Sequence, residues 1–243
     1  MNVTKTLWIV VLTAALLPAV AVAEAPGWGY LAQAFMVSRV LDGGSLAGYY
    51  GAAAVNVFEA TANGRCRPEL YDLTHRQYEL LWNARTSAPI SIDYGLGFAT
   101  QNDDWGTNST ALKESITGGL GKGYLVAKAE LLAQSLPLAD FGVDLPEAQA
   151  EELYLAFVSL AVEERLARSR AYLGAVLHQA ARRRTARFPS MLVDAYATAV
   201  SGNCGLDLGL ATSFIEDQER AFRNALASYG STILRGGRGA FRT

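Results

Sequence analysis

Histidine is almost absent from this chain: His75 and His178 are the only two in 243 residues. Neither has a partner at ligand spacing, so no metal centre is expected and no cofactor is implied. A serine–histidine–aspartate triad would have to use one of these two, and no G-x-S-x-G elbow offers the serine. Excess charge is lacking as well. The formal net charge is −2, which argues against a nucleic-acid partner, because such domains are strongly basic. Beyond the first residues no apolar run reaches the roughly 20 residues that a membrane helix needs. The nearest approach, "SLAGYYGAAAVNVFEATA" at 45–62, contains Asn56 and Glu59 and reads as a buried helix. The glycine stretch "GGLGKGY" is no phosphate loop. Ile116 stands where the first glycine is needed, and Gly123 where Ser or Thr should follow the lysine.

The first residues carry the clearest signal that is present. "MNVTKT" has one lysine and no acid, "LWIVVLTAALLPAVAV" is apolar, and Ala21 and Ala23 are small residues just before Glu24. That is the three-part pattern of a secretory signal peptide, cleaved after Ala23. The expectation is an exported protein, periplasmic or extracellular. It comprises one mainly helical domain over 24–234, a basic tail over 235–243 and no transmembrane span in the mature chain. In an oxidising compartment the only two cysteines, Cys66 and Cys204, should pair as a disulfide.

Periodicity predicts a mainly α fold, a helical bundle. Residues 30–41, 46–61 and 72–85 read as helices, the last opening on a Thr74/Gln77 capping box. From Pro146 to Phe188 there is no further proline, and Leu155, Val158, Val162, Leu166, Leu173, Val176 and Leu177 keep helical spacing. This predicts one very long helix over about 147–187, with Gly174 as a place for a break. A shorter helix over "SMLVDAYATAV" and a last one opening on a Ser213/Glu216 capping box complete the bundle. One segment departs from this period. Ile90, Ile92, Tyr94, Leu96 and Phe98 alternate strictly, which predicts a strand, and with it a small β-hairpin or extended arm over about 88–127. Residues 121–134 suit either state.

Three groups of residues are candidates for function. The loop "QNDDWGTN" brings Asp103 and Asp104 together, but its spacing fits no calcium loop. With Glu79 and His75, these carboxylates would serve a secreted hydrolase acting on an envelope polymer if they faced one another across a cleft. The apolar helices at 30–62 would serve a membrane-active protein. The third group is charge. Eleven acids and three lysines lie between Asp103 and Glu164, whereas seven arginines and no acid lie between Arg165 and Arg187. Base at a helix end complements the macrodipole, but Arg182, Arg183, Arg184 and Arg187 are more than a helix end needs. They are the candidate contact for an anionic partner. Sparse catalytic residue types and segregated charge favour a non-enzymatic, exported protein that binds or scaffolds another envelope or secreted component. A protein partner is expected, and self-association is left open.

Overall fold

The computed structural model describes residues 27–59, 66–112 and 122–236. The segment expected as a signal peptide, the "GGLG" run and the end of the tail expected over 235–243 lie outside these residues. Among the described residues there are eleven α-helices and no strand. They are α1 (Tyr30–Val40), α2 (Leu46–Ala53), α3 (Arg67–His75), α4 (Tyr78–Ala84), α5 (Pro89–Ala99), α6 (Thr107–Leu112), α7 (Tyr124–Ser135), α8 (Glu147–Ser169), α9 (Tyr172–Arg183), α10 (Arg187–Cys204) and α11 (Leu208–Gly236).

The alternating segment expected as a strand is helix α5. Pro89 opens it, at a position where a missing N–H costs nothing. Its glycines are not strand weaknesses but the seat of a helix crossing. A Cβ on Gly97 would run into the Gly48 carbonyl, and one on Gly51 into the Tyr94 carbonyl. Helices α2 and α5 therefore pack backbone against backbone, and Tyr94 and Phe98 reach the core from the same helix face. The small residues of α2 thus let the two backbones meet. The segment 121–134, readable either way, is helical from Tyr124 onward, in α7.

The forty-residue helix is also interrupted. It divides at Arg170, whose backbone leaves helical geometry (φ −142°, ψ 43°), four residues before Gly174. The interruption lets the apolar stripe change partners: α8 packs on α7 and α1, whereas α9 packs on α11 and α2. A second divide at Arg184 separates α9 from α10. Pro189 is not a stop; it lies in the first turn of α10, where proline is tolerated. Neither expected capping box forms. Thr74 lies near the end of α3, and α11 begins at Leu208, where Asp207 Oδ1 accepts the Leu210 N–H at 2.8 Å.

Tyr50 is the centre of the main core. Its ring meets Phe188 at 5.1 Å, Phe222 at 5.8 Å and Tyr94 at 6.2 Å, each edge to face. A smaller cluster around Trp28, Leu125, Tyr154 and Leu155 joins α1, α6, α7 and α8, and Leu166 packs against both. Two long-range ties fix the frame. Cys66 at the start of α3 and Cys204 at the end of α10 form a disulfide across 138 positions, with Cα atoms 5.3 Å apart. The buried carboxyl of Glu163 on α8 accepts the Leu31 and Ala32 N–H groups at 3.0 and 2.9 Å. It thereby caps α1, whose own N-cap residue, Gly29, has no side chain to do so. Burial raises the Glu163 pKa, against the hydrogen bonds from Tyr229, Leu31 and Ala32.

Candidate anion-binding site

The four arginines of "ARRRTAR" do not form one patch. Arg184 turns inward. Its Nε and Nη2 donate to the two carboxylate oxygens of Glu219 at 2.5 and 2.6 Å, and Tyr50 OH donates to the same Glu219 Oε1 at 2.6 Å. Glu219 is 1% exposed, so this bidentate pair is part of the core. Burial pulls the Arg184 pKa down, but the hydrogen bonds and charge of Glu219 outweigh it and raise the pKa. Burial and the same carboxylate push the Tyr50 phenol up. Arg187 donates to Thr86 Oγ1. Arg183 is exposed. Arg182 lines a cavity.

That cavity is a groove of 390 Å³ between α9 and α11. Two glycines set the helix crossing beside it. At the crossing, a Cβ on Gly230 would come within 2.6 Å of both the Gly174 carbonyl and the His178 nitrogen, so the helices touch backbone to backbone. One turn along, the His178 ring lies with Nδ1 2.8 Å from the Ala227 carbonyl. A carbonyl only accepts, so Nδ1 carries a proton and donates it to Ala227. A further turn along, Arg182 on α9 and Arg223 on α11 line the same groove. The series 174, 178, 182 on one helix runs against 230, 227, 223 on the other, the spacing of single helix faces. Ser228, Ser231, Asn224 and Arg235 complete the wall, and no carboxylate is among the lining residues. Arg223 Nε is buried and has no acceptor among the described residues. A buried cationic donor in that condition is a strong demand for an anion or a water.

Sequence reading found Arg182 and missed Arg223, Arg235 and the role of His178. Its signal was available only as a relation: two glycines, each a fixed number of helical turns from a basic residue, on segments fifty positions apart.

The carboxylates expected of a hydrolase are dispersed. Glu79 and Asp104 are exposed, whereas Asp103 is buried at 3%. Asp103 accepts from Tyr71 OH at 2.9 Å and Asn108 Nδ2 at 3.2 Å. His75 lines a separate cavity of 150 Å³ with Tyr71, Asn56, Gln33, Glu59 and Asn108 among its walls. Its ring stacks on Tyr71, with centroids 3.8 Å apart. Nε2 stands 3.3 Å from Asn56 Oδ1 and Nδ1 3.0 Å from Thr74 Oγ1. Both nitrogens are engaged within the protein. Burial lowers the His75 pKa to about 4, against the pull of Asp103 and the Tyr71 carbonyl.

A stability effect follows from that pKa. An unfolded histidine titrates near 6.5, so between that value and about 4 the unfolded chain binds the proton and the folded one does not. Stability should be complete above pH 6.5 and should fall by about 3 kcal/mol as pH drops through 4. Urea unfolding at several pH values, compared with His75→Gln, checks this. The wild-type-minus-variant difference should shrink across that window, and a constant difference would contradict the assignment.

Compared with known proteins, the chain matches no family model, no curated protein and no solved structure. No helix among the described residues is long and apolar enough to cross a membrane.

Proposed function

We propose that this protein is an exported, non-enzymatic helical protein that binds another envelope or secreted component through the basic groove between α9 and α11. The observation that carries the reading is the groove itself: three arginines and no carboxylate among its walls, with Arg223 Nε lacking an acceptor. The signal-like start of the chain and the Cys66–Cys204 bridge support export to an oxidising compartment. An anionic group on the partner would find here the fork geometry that guanidinium offers to oxyanions.

The hydrolase reading retains one support, the cavity shared by His75 and Glu59. It is the weaker of the two. The ring nitrogens there are already engaged, and two of the three carboxylates it invoked lie at the surface.

Cross-linking in intact cells tests the binding reading. Full-length protein and an Arg182→Gln/Arg223→Gln variant are exported, cross-linked and purified side by side. The expected result is a discrete cross-linked species that the variant loses. A species retained at full yield by the variant would sink the groove as the contact, and a protein recovered without any partner would sink the binding reading altogether.

A further inference from the structure

We infer that the groove takes a phosphate-type oxyanion, a phosphate monoester in particular, seated between Arg182 and Arg223. This rests on the binding reading above and names its ligand class. Charge balance is the first argument. Arg182, Arg223 and Arg235 line one groove with no acid among its walls. The two acids nearest Arg223 in sequence are committed elsewhere: Glu219 to Arg184 and Tyr50, and Asp217 to Arg220 at 2.8 Å. A carboxylate brings one negative charge, whereas a phosphate monoester brings about 1.5 to 2 at neutral pH and three terminal oxygens.

Donor geometry is the second argument. Planar forks match phosphate through paired hydrogen bonds, and the Arg223 fork has its Nε buried without an acceptor. Arg235 folds back so that Nε lies 3.3 Å from the Ser231 carbonyl, which anchors its stem along the groove wall. Ser228 and Ser231 add hydroxyls and Asn224 an amide. His178, anchored through Nδ1 on the Ala227 carbonyl, lies on the same wall. Size is the third argument. At 390 Å³ the groove falls within the roughly 300–1,000 Å³ range of small-molecule sites, with room beyond a bare oxyanion for the rest of an ester.

Titration calorimetry on the full exported chain tests this with three probes. They are glycerol 3-phosphate, an oligoglutamate peptide, and phosphatidylcholine vesicles with and without phosphatidic acid. Glycerol 3-phosphate should bind saturably. Arg182→Gln and Arg223→Gln should each weaken it about tenfold or more, while Arg183→Gln, outside the groove wall, should change it less than about twofold. If Arg223→Gln fails to fold, Arg223→Lys keeps the charge, loses the fork and should still weaken binding. Vesicles that bind only with phosphatidic acid, with the same variant pattern, would identify a lipid headgroup as the source. Vesicles that fail while glycerol 3-phosphate binds would identify a soluble ester. Oligoglutamate binding with that variant pattern, while glycerol 3-phosphate fails, overturns the phosphate assignment and leaves the binding reading standing. No variant-sensitive binding of any anion overturns both. Equal weakening by Arg183→Gln would mean diffuse surface charge and would also overturn the site.

Discussion

Arg184→Gln is expected to destabilise the fold by about 3–5 kcal/mol, because it strands the Glu219 carboxylate in the core without its cation. Glu219 is 1% exposed, and its remaining partner is Tyr50 OH. The reverse substitution should cost less. In Glu219→Gln the amide still accepts from Tyr50, and Arg184, whose side chain is 14% exposed, has a route to water. Arg182→Gln with Arg183→Gln should stay within about 0.5 kcal/mol of the parent, as exposed substitutions do. Urea melts of the three proteins separate these cases. Equal stability of Arg184→Gln and the double variant would show that the buried pair contributes nothing. A triple Gln replacement of 182–184 would therefore confuse a core effect with a surface one.

Removal of the disulfide should have the largest effect. Closing 138 positions restricts the unfolded chain by about 5 kcal/mol in the loop-entropy treatment. Against the roughly 5–15 kcal/mol of a typical domain, that is a large share. With about 2–4 °C per kcal/mol for a domain of this size, the midpoint should drop on the order of 15 °C in reductant or in Cys66→Ser/Cys204→Ser. The double serine variant avoids stray thiol chemistry. An unchanged midpoint would mean that the bridge does not form in the protein as expressed.

These expectations differ in how far the sequence alone could carry them. Composition and helical spacing sufficed for the α-bundle, and two cysteines in an exported pattern sufficed for the bridge. The segment at 90–98 was misread for a physical reason. Its alternation of large and small residues satisfies a strand's period of two, while its glycines serve a helix crossing whose other half is α2. The helix divides at Arg170 and Arg184 carry no proline or glycine; they are imposed by which neighbours α8, α9 and α10 pack against. The arginine run was visible, but its division was not. Arg184 goes to Glu219, Arg187 to Thr86 and Arg182 to the groove. Each destination depends on residues far away in the chain, and local pattern carries no information about them.

The cap that Glu163 places on α1 also has a bearing on time. The carboxyl lies 131 positions after Ala32, the nearer of the two N–H groups it holds. Chains are made N-terminus first at about 5–20 residues per second, so roughly 7 to 26 seconds separate synthesis of that N–H from synthesis of its acceptor. Throughout that interval helix α1 lacks the group that closes its start, and Cys66 lacks Cys204. The nascent chain is thus kept without two of its long-range fastenings until most of it has been made.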